Sequence, residues 1–384
     1  MTAPIRVFLV AAERSGDALG ARLMRALREQ LGNVAFSGVG GSEMEAEGLT
    51  SPFDISELSL LGYAEVLAAY PRVVRRADET AALAVEEQPD IAVLIDSWGF
   101  TLRVAKRLKA QLPDMPIVKY VGPQVWATRP GRAKTLAGTV DHLLTIHSFD
   151  APIFEAEGLK TTFVGNPTLD VGPAGDGAAF RDRHGIDANA PCLGVLFGSR
   201  MGELDRLFES FSDAVRLLRR QNPSLRLIVP LAGPIEVAAR ERLAIDPNFA
   251  DCVIVSESEK ADGFAAMDVA MACSGTVTTQ LATAGIPTVA GYRLGWITWA
   301  IARGVLFKAK FISLVNIAAD RELIPERVQT TCTGPRLAAD VQRFLDDDGL
   351  RRRTSRDLVE TTRIMRGEGR ASMKAAAAIA EMLA

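Results

Sequence analysis

Residues 193–206, LGVLFGSRMGELDR, decide how the rest of the chain reads. Leu193 to Phe197 is an uninterrupted apolar run, the pattern of a strand covered on both faces. It stops at Gly198-Ser199-Arg200, and apolar residues then recur at Leu204, Leu207, Phe208 and Phe211, the spacing of an amphipathic helix. A strand, a turn of small residues and a helix start make an anion site. Free backbone N–H groups and the positive end of the helix dipole face one point there. Arg200 adds a fixed cation able to fork two phosphate oxygens. The competing reading is packing, with Gly198 and Ser199 present for close approach and Arg200 a solvated surface charge.

Downstream the alternation repeats, with strands expected at 225–229, 252–255, 269–272 and 288–290. After Cys273 a second turn of small residues, Ser274-Gly275-Thr276, opens another helix. Two such turns in one domain, with Arg200, point to a nucleotide diphosphate. Gln280, one turn into the second helix, can both donate to and accept from a ribose hydroxyl.

Upstream the same grammar holds. An apolar strand at 5–11 ends in Glu13-Arg14-Ser15-Gly16-Asp17, and a helix and a strand at 34–39 follow. No GxGxxG occurs, so a dinucleotide fingerprint is absent. Ser15 and Asp17 also suit helix capping. A strong strand at 90–96 ends in Asp96, placed either as a general base or as the N-cap of the next helix. Strands at 117–121, 140–146 and 161–164 complete the set. The expected architecture is α/β: two doubly wound Rossmann-like domains, 1–168 and 191–351, with the active site in the cleft between them. A Gly-, Ala-, Pro- and Asp-rich linker is expected at 169–190. The helices of about 352–384 are expected to pack back on the first domain or on a partner subunit.

The composition narrows the function. A net charge of −3 over 384 residues gives no basic domain for nucleic acid. Cys192, Cys252, Cys273 and Cys332 are scattered, two of them in apolar strand-like runs, as buried hydrophobes in a reducing cytosol would be. His142 and His147 lack metal-ligand spacing. The N-terminal apolar run reads as a first strand rather than a leader, and no run of roughly 20 apolar residues suggests a span. Two stretches mix apolar and basic residues: Leu60, Leu61 and Tyr63 with Arg72, Arg75 and Arg76, and Trp296 and Trp299 among Arg293, Arg303, Lys308 and Lys310. Each fits a core or domain-interface helix, or a surface meeting anionic lipid. A late loop carries Asn316 and the charged cluster Asp320-Arg321-Glu322, which can also be an internally paired turn.

With these stretches in view, the sequence resembles the lipid-A-disaccharide synthases, inverting glycosyltransferases with two Rossmann-like (GT-B) domains. The resemblance spans nearly the whole chain. It is carried by AAERSGDALGA (11–21), GVGGSEMEAEG (38–48), ELSLLGYAEVL (57–67), VLIDSWGF (93–100), KYVGPQVWATRPGRAK (119–134), FVGNP (163–167), LFGSRMGEL (196–204), CSGTVTTQLATAGIP (273–287), VAGYR (289–293) and SLVNIAADRELIPE (313–326). It implies transfer from UDP-2,3-diacylglucosamine to 2,3-diacylglucosamine 1-phosphate, with no cofactor and no divalent metal. It places Asp96, with Glu13 and Asn316, in catalysis. The UDP-sugar falls to Gly198, Ser199, Arg200, Ser274, Gly275, Thr276, Gln280, Arg321 and Glu322. Ser15, Gly16, Asp17, Gln124 and Trp126 fall on the acceptor side. It further implies peripheral contact with the inner face of the cytoplasmic membrane, and leaves room for a homodimer. Where the family commonly carries Ser/Ala-Pro-Asp-Phe and Ser-Pro-Ser-Val-Trp-Ala-Trp-Arg, this chain has Ser97-Trp98-Gly99-Phe100 and 122–129, GPQVWATR. Gln280 and Asn166 stand where a glutamate and a histidine are usual. The runner-up readings are another UDP-N-acetylglucosamine-type transferase or 2-epimerase on this fold, or an inactive UDP-sugar-binding relative.

Overall fold

A computed structural model of the chain describes residues 3–58, 63–126, 129–169, 175–295 and 310–384, with the backbone alone over 63–69. It divides into two compact units, 1–168 with 365–384, and 169–364.

The first unit is built on β1 (Ile5–Ala11), β2 (Val34–Val39), β3 (Ile91–Ile95), β4 (Ile117–Tyr120), β5 (His142–Thr145) and β6 (Lys160–Phe163). They form one parallel sheet in the order β2-β1-β3-β4-β5-β6. Helices Arg14–Leu31 (α1), Ser42–Ala46 (α2), Tyr63–Glu87 (α3) and Trp98–Gln111 (α4) are among its connections. The second unit holds β7 (Cys192–Leu196), β8 (Arg226–Pro230), β9 (Val253–Val255), β10 (Val269–Cys273), β11 (Thr288–Tyr292) and β12 (Glu326–Val328). Its sheet is also parallel, in the order β12-β11-β10-β7-β8-β9.

The apolar runs explain both sheets. All five residues of β3, of β7 and of β10 are buried, as strands with helices on both faces must be. Val7, Leu9, Val93 and Val118 pack toward α1 with Leu23 and Leu27, while Phe8, Val10, Leu94 and Val104 fill the opposite face. Each such side chain contributes roughly 1.5–3 kcal/mol of burial. Gly38 has φ +133, and a Cβ there would land on the Leu9 carbonyl, so only glycine lets β2 lie against β1.

Chain order reverses between β1 and β3 in the first sheet and between β7 and β10 in the second. Ligands of open parallel sheets bind outside the carboxyl ends of the strands at such switch points. Those ends carry Glu13 and Asp96 in one unit, and Gly198 to Arg200 and Ser274 to Thr276 in the other.

One expectation changes. The stretch expected as a linker contains a helix, Gly177–Arg183, whose Phe180 is fully buried in the second unit beside Val255 and Phe264. Its small residues serve close packing: a Cβ at Gly175 or Gly177 would strike the backbone of the helix Lys260–Ala265. Strand β12 is not among the strands expected from the sequence, because its three residues, Glu-Arg-Val, carry no apolar run. The last helix, Ala371–Leu383, packs on α1, with Ala375 and Ile379 in the core that holds Leu23 and Leu27. Arg370 pairs with Glu29 at 2.8 Å beside it. Among the described residues no helix is long and apolar enough to cross a membrane.

Candidate active site

Asp96 follows β3 directly. Asp96 and Ser97 both adopt left-handed backbone, φ 45 and 39. Each such residue without a glycine's freedom costs of order 1–3 kcal/mol, and such strain concentrates at functional turns. The turn is clamped from several sides. The Asp96 N–H donates to Tyr120 O at 2.8 Å, and Thr101 Oγ1 donates to Asp96 O at 2.8 Å and Ser97 O at 2.9 Å. Lys119 Nζ also donates to Asp96 O. The alternative role of Asp96, as the cap of α4, is not realised: Ser97 holds the N-cap position. Every hydrogen bond at Asp96 is made by its backbone, and among the described residues none reaches its carboxylate.

Glu13, at the N-cap of α1, belongs to the same cluster. The residue is exposed overall, yet its carboxyl end is packed deeply enough that burial raises its pKa. The Asp96 charge raises it further, and Ser97 and Lys119 pull it back. Lys119 is buried; desolvation lowers its pKa to about 7 against the pull of Asp96 and Glu13. Two carboxylates and a lysine thus meet at the switch point of the first sheet.

Asp17 has another task. Its carboxylate accepts the N–H groups of Gly41 (2.8 Å), Glu43 (3.0 Å) and Met44 (3.0 Å). It caps α2 rather than its own helix, and is 2% exposed. Ser15 is exposed and Gly16 is buried against Ala11 and Ile95. Gln124 is exposed. Trp126 is wedged edge-on against Phe149 (5.4 Å between ring centroids) and His147 (6.3 Å). Its Nε1 faces the Asp150 carboxyl without closing a hydrogen bond to it. Burial raises Asp150 to about 6 and lowers His147 to about 4.

In the second unit the helix Met201–Gln221 starts at Arg200, as the turn of small residues implies. The turn is not empty, however. Glu203 reaches back so that its Oε2 accepts the N–H groups of Ser199 (3.0 Å) and Arg200 (3.2 Å). The expectation of free N–H groups at these two positions is therefore corrected: an internal carboxylate holds them. Gly198 has φ +96, and a Cβ there would collide with that carboxylate and meet Cys273 Sγ at 3.2 Å. The Arg200 side chain is 83% exposed, its guanidinium 3.6 Å from Glu203. Arg206 Nε donates to Arg293 O at 2.9 Å. The charges of Arg200, Arg206 and Glu203 all act on Tyr292 and on Cys273, whose thiol burial pushes up to about 12. In the neighbouring turn Ser274 N–H is spent on Gly291 O at 3.0 Å, while Gly275 and Thr276 stand exposed at the helix start and Gln280 is half-buried.

Asn316, expected in catalysis, is fully buried and fully engaged. Its Nδ2 donates to Ile324 O (2.7 Å) and Glu326 Oε1 (2.9 Å), and its Oδ1 accepts Leu323 N (2.8 Å) and Ile324 N (2.9 Å). The structure makes it the latch of the late loop, a positioning residue. Arg321 pairs with Asp357 at 3.0 Å rather than within its own cluster, and Glu322 is exposed.

Of the residues expected at a lipid surface, Leu60, Leu61, Trp296 and Trp299 lie outside the described residues. Tyr63 begins α3. Arg72 and Arg75 are exposed. Arg76 is corrected: its guanidinium is shared between Glu57 (2.7 Å) and Glu79 (2.6 Å) over the Phe53 ring, which neutralises its charge internally.

Lys119, Thr101, Glu203 and Arg206 were missed. Glu203 alone had a local signal, its position three residues after the N-cap. Lys119 sits inside an apolar strand, where only the fold reveals what it faces. Among the described residues no group of three His, Cys, Asp or Glu is placed to hold a metal.

Two all-parallel Rossmann-like sheets in one chain are the architecture of GT-B glycosyltransferases and of the epimerases that share it. A solved structure of a putative UDP-N-acetylglucosamine 2-epimerase from Listeria monocytogenes superposes with TM-score 0.65 at 14% identity, covering 99% of this chain and 97% of that one. The calicheamicin glycosyltransferase CalG4 gives TM-score 0.60 at 15% identity, covering 100% and 99%. A family model described as lipid-A-disaccharide synthetase matches residues 7–382. The lipid-A-disaccharide synthase of Rhodospirillum centenum is 40% identical over 383 residues, 99% of this chain and 95% of that protein. The chain belongs to the lipid-A-disaccharide synthase family and is a glycosyltransferase of lipid A biosynthesis.

Proposed function

We propose that the chain condenses UDP-2,3-diacylglucosamine with 2,3-diacylglucosamine 1-phosphate in one inverting displacement. Asp96 is the general base and Arg200 the principal cation for the departing UDP. An inverting transfer needs a base on the acceptor hydroxyl and relief of charge on the leaving diphosphate. The observation that carries the reading is the Asp96 turn: a strained, clamped backbone at a switch point whose carboxylate accepts no hydrogen bond among the described residues. Asp96 takes the proton of the acceptor 6-hydroxyl as that oxygen attacks the donor's anomeric carbon and the bond to UDP breaks. Glu13 shares the negative field beside it. Arg200 and Arg206 supply positive potential for UDP, so the step runs without a divalent metal.

Both substrates carry acyl chains, which supports peripheral docking at an anionic, cytoplasmic membrane face through the stretches 58–76 and 292–311. The exposed Arg72, Arg75 and Tyr70 fit that role in the first of these. The test of the chemistry is the product: mass spectrometry of a donor–acceptor mixture, with the disaccharide 1-phosphate formed by the wild type and lost in Asp96→Asn. An inactive binder retains UDP affinity with no product, and a 2-epimerase alters the donor without an acceptor.

A further inference from the structure

Lys119 is the one cation buried beneath the Asp96 turn among the described residues, and nothing in the chemistry above uses it. It lies on β4 in register with Leu94 of β3 and Leu143 of β5, inside an otherwise apolar layer. It is 3% exposed. Its Nζ donates to the Asp96 carbonyl and, at 2.8 Å, to Thr101 Oγ1, the hydroxyl that itself bonds the Asp96 and Ser97 carbonyls. The charged groups acting on it are Glu13 from the end of β1 and Asp96 from the end of β3; α4 contributes the neutral Thr101. A buried lysine is costly unless something repays its desolvation. A methionine would fill this strand position at no such cost.

We propose that Lys119 is a positioning residue for the reaction, pinning the left-handed Asp96–Ser97 turn from below and setting a positive charge against the Glu13 carboxylate beside it. This rests on Asp96 being the base. Two consequences follow that a purely structural lysine does not share. The charge compensation holds down the acidic limb of the pH–rate profile, because an opposite charge close by favours the ionised carboxylate. Removing the buried charge relieves its desolvation, so turnover falls while thermal stability does not.

The experiment compares wild type, Lys119→Met, Lys119→Arg and Asp96→Asn by kcat and KM against pH, with UDP affinity and melting temperature measured on each. The expected result for Lys119→Met is a roughly 10- to 100-fold lower kcat, with KM and UDP affinity near wild type. Its acidic limb moves to higher pH, and its melting temperature is unchanged or higher. Lys119→Arg returns the limb toward the wild-type position. An acidic limb that stays put in Lys119→Met overturns the proposal, whether turnover is retained or is lost along with stability. Near-normal turnover of Asp96→Asn removes the base assignment itself. An inactive Asp96→Asn beside an unmoved limb in Lys119→Met removes only the role of Lys119.

Discussion

Replacing Arg200 by alanine tests how the second unit holds a diphosphate. The two backbone donors nearest the turn, Ser199 and Arg200 N–H, are occupied by Glu203, so the burden on the Arg200 side chain is larger than in a turn with open donors. Little holds that side chain back. It is 83% exposed, and its pairing with Glu203 at 3.6 Å is a surface contact between residues three apart, worth at most about 0.5 kcal/mol. A guanidinium forking a phosphate makes charge-assisted hydrogen bonds of about 1.5–3 kcal/mol each. The two bonds of one fork are not additive, so we take roughly 2–3 kcal/mol for the pair, about 30- to 150-fold in Kd. Glu203, left without its cation beside the bound anion, pushes toward the larger value. Titration calorimetry with UDP at low and moderate salt measures it. Arg200→Ala is expected to lose about 30- to 150-fold and to show a weaker salt dependence, with its melting temperature unchanged because the side chain is exposed. Lysine restores a point charge but not the fork, so Arg200→Lys recovers only part of the loss. A Kd within twofold of wild type in Arg200→Ala, or full recovery by lysine, refutes the reasoning.

Asn316→Ala strands two backbone N–H groups and one buried carboxylate contact. It is expected to lower stability by about 2–5 kcal/mol in thermal or denaturant unfolding, whereas a catalytic residue would leave the melting temperature alone. His147 and Asp150 set opposed pH dependences. With a folded pKa of about 4, His147 contributes stability that is lost as pH falls from 6.5. Asp150, folded at about 6, takes up its proton first and adds stability as pH falls from there toward 3.8. Each shift of two to three units corresponds to about 3 kcal/mol, so they nearly cancel; Asp150→Asn is expected to make the melting temperature fall more steeply between pH 6 and 4 than in wild type, and an equal slope contradicts it. Replacing Trp296 and Trp299 by serine is expected to release the protein from anionic vesicles in a flotation assay, and undiminished binding removes that stretch as the docking surface.

The strands were legible because burial on both faces writes itself as continuous apolar runs; β1, β3, β7 and β10 are found where those runs lie. The positions of Asp96 and Arg200 were legible for a related reason, since a run that ends abruptly marks the carboxyl edge of a sheet. What the polar side chains bond to was not. Asp17 looks like a cap for its own helix and caps another 26 residues away in sequence. Glu203 looks like a first-turn charge and fills the turn expected to stay open. Asn316 shows no local sign of its four side-chain hydrogen bonds, all made with residues 323–326. Partner choice among polar groups is settled by which loops the fold brings together. Lys119 is the extreme case, a charge hidden inside an apolar strand whose purpose is visible only once β1, β3 and β4 lie side by side.

In the proposed reaction Asp96 moves the acceptor's proton while a separate turn holds UDP. Turnover of Asp96→Asn, read as disaccharide product by mass spectrometry with UDP affinity measured on the same preparation, tests it most directly. Turnover is expected to fall by about 10²- to 10⁴-fold, with UDP affinity within twofold of wild type. Turnover near wild type, or a loss of UDP affinity that accounts for the whole decrease, contradicts it.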